Sequence, residues 1–236
     1  MMATVDGIKL TSYGMAVVEE EKTGIIADLH IGMEEISMIT TRLQTEEMLE
    51  RLERAIEENN IEKLVIAGDI KHGFGKSVRQ EWGEIREFFN RLLSLVDVVV
   101  LKGNHDYYIE NIVKDRTTVL EEYRFGNYVV SHGHKEVLRG DEILIIGNEH
   151  PVLTLKDEVG ASARVRAYVW VGEKKVLIVP AFNPLTRGYD VRNLASSQLS
   201  PVLKKADMEK AEVYAINDEE VLYFGTIGDI KRELKR

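Results

Sequence analysis

Five short apolar runs, each broken off by residues that bind metals or move protons, limit what this chain can fold into more than any other feature. Residues 98–101 lead through Lys102 and Gly103 to Asn104, His105 and Asp106. Residues 24–27 run into Asp28-Leu29-His30, and residues 64–67 into Gly68-Asp69-Ile70-Lys71-His72. Residues 128–130 run into Ser131-His132-Gly133-His134, and residues 143–146 into Gly147-Asn148-Glu149-His150. Runs that are apolar at every position, not at alternate ones, suit strands buried on both faces, the setting of parallel sheets covered by helices. In such sheets the loops beyond the carboxyl ends of the strands build the site. All 6 histidines lie in these places. One such turn alone reads as a plain polar loop after a core strand. Five together do not, because scattered surface histidines have no reason to collect at strand ends.

The segments between the runs carry the helices that such a sheet needs. Residues 32–59 have helical spacing, with Met48, Leu49, Leu52, Ala55 and Ile56 as the apolar stripe. Thr45 is placed to cap that helix, with Glu46 and Glu47 in its first turn. Met33, Ile36, Met38 and Ile39 either extend an earlier helix or line a groove, a core role being the plainer reading. Trp82, Ile85, Phe88, Phe89, Leu92 and Leu95 mark a second amphipathic helix. Apolar strands joined through helices predict parallel pairing. Residues 5–18 read as irregular or strand-like, and residues 107–122 as a polar surface crossover. Gly75-Lys76-Ser77 is not a phosphate loop, since the motif needs a glycine where Ile70 stands; residues 73–77 read as a flexible loop at the rim of the site. Beyond Pro151 there is no histidine. Two hairpins are expected there, around Gly172-Glu173-Lys174 and around Asn217-Asp218-Glu219-Glu220. A single domain over residues 1–236 is expected, its second half completing a second sheet packed on the first.

Composition narrows the chemistry. With 44% hydrophobic and 30% charged residues the chain is globular in character, and no apolar run approaches a membrane span. The first ten residues include Asp6 and Lys9 and lack the apolar core of a secretory signal, so a cytoplasmic location is expected. There is no cysteine, so any metal must sit on His, Asp, Glu or Asn. A net charge of -9 is not the footprint of a protein that coats nucleic acid. It leaves room for nuclease chemistry, since metal ions bring positive charge to a site.

The order Asp28-x-His30, Gly68-Asp69-x-x-His72, Gly103-Asn104-His105-Asp106, His132-Gly133-His134, Gly147-Asn148-x-His150 resembles the calcineurin-like metallophosphoesterase family. The motifs span roughly the first two thirds of the chain. Residues 180–185, Pro-Ala-Phe-Asn-Pro-Leu, resemble the archaeal branch of small ICC-like phosphoesterases, which is also similar to a bacterial phosphoesterase linked to DNA ligation and repair. One departure stands out: Asn148 occupies the place of the first His in the family's last motif.

The resemblance implies an α/β fold of two mixed β-sheets packed as a sandwich flanked by helices. It implies two divalent metal ions, manganese foremost, with iron or zinc as alternatives, all compatible with mixed oxygen and imidazole ligands. By position, Asp28, His30, Asp69 and His150 would hold one metal. Asp69, Asn104 and His132 would hold the other, with Asn148 at the usual fourth ligand and Asp69 bridging. Catalysis would fall to His105, stabilising the phosphate and protonating the leaving oxygen, with Asp106 orienting its ring. His72 and His134 would stand behind the ligands. The substrate would be a phosphate ester, of nucleic acid or of a nucleotide, with no membrane partner. A catalytically weak binding scaffold with an incomplete second metal site is the alternative that Asn148 keeps open. Arg164 and Arg166 share one strand face, and Arg187 and Arg192 follow the turn at Pro184. Any of these could meet substrate phosphate, but solvated charge is the commoner outcome and none is singled out.

Overall fold

The computed structural model describes residues 3–32, 42–72, 79–113, 116–156, 160–194 and 200–233. The expectations for Met33 to Ile39, and for the rim loop at residues 73–77, lie outside the described residues. β4 (Thr23–Ile26), β5 (Lys63–Ala67), β6 (Asp97–Leu101) and β7 (Thr118–Leu120) pair in parallel. They are preceded by an antiparallel meander of β1 (Ala3–Val5), β2 (Ile8–Leu10) and β3 (Ala16–Val18), which joins the β4 edge. Residues 5–18 are thus more regular than their sequence suggests, the turn at Asp6-Gly7 being taken with positive φ at both residues.

The second sheet has β9 (Tyr128–Ser131), β10 (Ile143–Ile146) and β13 (Val176–Ile178) parallel at its centre. β8 (Glu122–Phe125) closes one side. β12 (Ser162–Val171) pairs antiparallel with β13, with β11 (Pro151–Lys156) and with β15 (Glu212–Ile216). β14 (Tyr189–Asp190) runs beside β11, and β16 (Val221–Thr226) beside β15. Both expected hairpins are present, as β12–β13 and β15–β16.

The unbroken apolar runs follow from the layering. Ile26, Leu64, Ile66, Val98 and Val100 face α1 (Arg42–Glu58) and α2 (Arg79–Leu92), where Met48, Leu49, Leu52, Ile85, Phe88 and Phe89 complete one core. Ile25, Val65, Ala67 and Leu101 face the other way and pack between the sheets with Val130, Ile145, Tyr168 and Leu177. Leu144, Ile146, Val169 and Ile178 bury the outer face of the second sheet with Ile227 and Ile230 of α4 (Ile227–Glu233). The result is two mixed sheets sandwiched between helices, as expected. Three details differ. α1 already includes Arg42, so Thr45 lies inside the helix instead of capping it. α2 ends at Leu92, and Leu95 stands 47% exposed beyond it. The stretch after Tyr107 is not a bare crossover: α3 (Ile109–Val113) buries Ile109, Ile112 and Val113, and β7 adds a strand.

Asp190 fastens the start of β11, directly after His150. Its carboxylate accepts from the N–H of Thr154 (3.0 Å), the N–H of Arg192 (3.0 Å) and the Arg192 guanidinium (2.7 Å twice). Burial pushes its pKa up, but these donors outweigh burial and hold it down at about 2 against an ordinary 3.8. A depressed carboxylate stabilises the fold above its unfolded pKa and loses that contribution as pH falls through its folded pKa. Asp190→Asn is expected to cost roughly 1–3 kcal/mol at neutral pH. In urea titrations the gap to the unaltered protein should close between pH 4 and pH 2; a gap constant across that range would remove the carboxylate from the account.

Candidate metal centre

The central parallel strands of both sheets end along one edge, and their loops meet there. β4 delivers Asp28 and His30, β5 Asp69, β6 Asn104 and His105, β9 His132, and β10 Asn148 and His150. The turns are sharp enough that Asp28, His30, Asp69, Asn148 and His150 all take positive φ, between +41° and +66°. Such backbone strain in non-glycine residues gathers where surrounding structure overdetermines it, commonly at functional sites. Gly103 answers a second need: a Cβ there would lie 2.1 Å from Asp69 Oδ1, so only glycine lets the Asn104 loop close on that carboxylate.

Asp28, His30, Asp69 and His132 are buried. Three groups of ligand atoms lie close enough to share a cation: Asp28, His30 and His150; His30, Asp69 and His105; Asp28, Asp69 and His132. In the first, the Nε2 atoms of His30 and His150 are 3.4 Å apart, and His150 Nε2 is 3.3 Å from Asp28 Oδ1. That oxygen is buried without a hydrogen-bond partner among the described residues. Around His132, Nδ1 lies 2.9 Å from the Ala67 carbonyl, which fixes the tautomer. Nε2 then faces Asn104 Oδ1 at 2.9 Å and Asp69 Oδ1 at 3.5 Å. A ring nitrogen facing oxygens that cannot donate must carry a proton or share a cation with them. This buried oxygen and nitrogen set, without sulfur, suits borderline divalent metals.

The protonation pattern says the same. Burial pushes His132 down, but Asp69 and Asp28 outweigh it and raise its pKa to about 9. Burial pushes Asp69 up, yet His132 and the His105 N–H bring it down to about 2. Burial dominates at His30, lowered to about 4, and at His134, also lowered to about 4 with help from the charge of His132. His150 is raised because Asp28 outweighs its burial.

His105 has its N–H on Asp69 Oδ1 (2.9 Å) and its Nδ1 2.9 Å from the His72 carbonyl, leaving Nε2 3.8 Å from Asp69 Oδ2. Asp106 does not orient this ring. Its Oδ1 accepts from the N–H of Ile70 (2.9 Å) and of Lys71 (3.3 Å), and its Oδ2 from that of Gly103 (2.9 Å). A carboxylate one residue on turns back under the loop, so Asp106 ties the β5 and β6 loops together instead. Burial, with the nearby charge of Asp69, raises it to about 6. The rings of His72 and His134 lie 5.6 Å from His30 and 5.2 Å from His132. Asn148 turns its amide nitrogen toward Ser200 Oγ (3.3 Å) and Glu149 Oε1 (3.4 Å).

Asn183 belongs to the site although the sequence did not single it out. Its Nδ2 donates to the carbonyls of Leu29 (2.9 Å) and His30 (3.4 Å), bracing the strained Asp28–His30 turn, and its Oδ1 accepts from the Leu185 N–H (2.9 Å). Its only signal in the sequence was its place in the Pro180–Leu185 segment. Arg192, a candidate for substrate phosphate, is instead bound to Asp190.

In shape the chain resembles a nuclease, MPE of Pseudomonas putida, with a TM-score of 0.68, 20% identity, and coverage of 94% of this chain and 99% of the other. Likeness to the phosphoesterase Yfce of E. coli is slight, with a TM-score of 0.45 and 14% identity over 86% of this chain and 98% of the other. Among curated proteins none matches. The sequence profile described as calcineurin-like phosphoesterase matches residues 22–213. That span holds every strand end that builds the centre, and the chain belongs to the calcineurin-like phosphoesterase family.

Proposed function

We propose that this protein is a phosphodiesterase or nuclease that works with two divalent metals, in the ICC-like branch that its Pro180–Leu185 segment resembles. The observation that carries the reading is the convergence of Asp28, His30 and His150 in one group, and of Asn104 and His132 with Asp69 in another. Metal ions held there, manganese foremost, would supply a hydroxide at neutral pH and offset the charge of the phosphate. Asp69 contributes a carboxylate within reach of both ligand sets. His105 donates its Nδ1–H to the His72 carbonyl, so Nε2 faces the site and, in the doubly protonated ring, would be the atom that gives its proton to the leaving oxygen. The strained Asp28–His30 turn, braced by Asn183, keeps its two ligands in place before substrate arrives. Hydrolysis of bis-p-nitrophenyl phosphate that stops with chelator and returns with manganese tests the reading. Two bound metals without hydrolysis of any diester would favour the scaffold.

Asn148 sets how tightly the second metal is held. An amide oxygen is a weaker donor than imidazole, and this amide is also engaged with Ser200 and Glu149. At φ +66° histidine is among the residues the backbone tolerates. Asn148→His is expected to lower the manganese needed for half-maximal activity several-fold. Two equally tight sites in the unaltered protein, seen by calorimetric titration, would contradict this.

A further inference from the structure

Beside the Pro180–Leu185 segment opens a cavity of about 760 Å³, lined by Arg51 and Arg54 of α1, Arg164 and Arg166 of β12, Tyr13 and Pro184. Among the described residues, arginine ion pairs are made by Arg91, Arg124, Arg192 and Arg232. None of the four cavity arginines has one. Arg51 leans over the Phe182 ring at 4.2 Å and bonds the Phe182 carbonyl, but its Nε is buried without a partner among the described residues. Arg166 Nη1 reaches the carbonyls of Tyr13, Ala181 and Phe182 only at 3.5 Å each. A Cβ on Gly14 would lie 2.8 Å from that nitrogen, so the fold makes room for this guanidinium. Arg164 reaches only the Gly188 carbonyl, and Arg54 the Glu50 carbonyl. Three carboxylates share the lining, Glu58, Asp218 and Glu219. Glu58 accepts from the Tyr13 hydroxyl (2.6 Å), and the other two sit on the β15–β16 turn.

Gathering four guanidinium groups against three carboxylates, with no ion pair to any of the four among the described residues, is costly, and the cost shows at Arg51, whose pKa falls to about 9 through burial and then through the charge of Arg166. Guanidinium forks with unspent N–H groups match phosphate oxygens in pairs. We propose that this cavity is a second anion subsite, separate from the metal centre, that binds a phosphate group through Arg51, Arg54, Arg164 and Arg166. The phosphate belongs either to a nucleic acid backbone or to a small free phosphate compound. The cavity adjoins the centre through one segment: Phe182 forms part of the Arg51 contact, and Asn183 braces the Asp28–His30 turn.

The test uses the full chain with chelator present, so binding is read without hydrolysis and stands or falls apart from the phosphoesterase reading. The probes are pyrophosphate, by calorimetry, and a fluorescein-labelled single strand of roughly twelve nucleotides, by anisotropy. Arg54→Glu with Arg164→Glu, both on exposed side chains, is expected to weaken binding about tenfold or more. The same charge change at Arg86 and Arg116, away from the cavity, controls for net charge. Arg166→Gln, checked for folding by circular dichroism, should weaken binding likewise. Pyrophosphate that binds and displaces the strand identifies a site open to free phosphates; strand binding that pyrophosphate does not displace identifies the backbone. No binding of either probe, or equal losses from the cavity and control reversals, would overturn the proposal.

Discussion

Asp69→Asn is expected to strip both metals and to lower kcat/KM for diester hydrolysis by more than about 10²-fold, since even residues behind metal ligands cost 10–100-fold. Asp69 is 2% exposed, and its carboxylate faces two histidines at three points. Oδ1 takes the His105 N–H and lies 3.5 Å from His132 Nε2, and Oδ2 lies 3.8 Å from His105 Nε2. An amide keeps the shape but puts an NH₂ donor against one of these positions and removes the charge that two cations at close range require. It also removes the hydrogen bond and charge that hold His132 at about 9 against its burial. Metal content after dialysis and turnover should therefore fall together. A variant that keeps two tightly bound metals and normal turnover would disprove the bridge.

His105→Asn should behave differently: metals retained, rate reduced by roughly 10²–10⁴, the range of general acid–base catalysis. The Nε2 of His105 comes within reach of His30 and Asp69 but lies outside the Asp28–His30–His150 and Asp28–Asp69–His132 groups, and its other nitrogen is fixed on the His72 carbonyl. The loss should shrink on p-nitrophenyl esters, whose leaving group departs without a proton, and be full on an alkyl diester. Equal losses on both would assign His105 to binding the phosphate instead of protonating the leaving oxygen.

The strand ends that build the candidate centre were readable because two signals coincide there: apolar runs buried on both faces, and all the histidines of the chain. The helical stripes and the end of α1 were legible for the same reason, through the period of their core contacts, although the place of Thr45 and the end of α2 were not. Other features depend on where a side chain turns after the backbone is set. Asp106 follows His105, which suggests a partner for its ring, yet three backbone N–H groups hold it under the loops. Asn183 reads as a turn residue until β13 brings it against the Asp28 turn. The arginine cavity is illegible for a stronger reason: Arg51 and Arg54 lie on the first helix, Arg164 and Arg166 on a strand of the other sheet, and only the packed sandwich joins them.

The centre draws Asp28, His30, Asp69 and Asn104 from one sheet and His132 and His150 from the other. Metal ligation there would act as a clasp across the seam of the sandwich, with each sheet holding its share of the bonds. A metal that recognises only the closed arrangement adds about 2.7 kcal/mol when supplied at a hundred times its Kd. Resistance to heat and to proteases would then become a readout of cation supply.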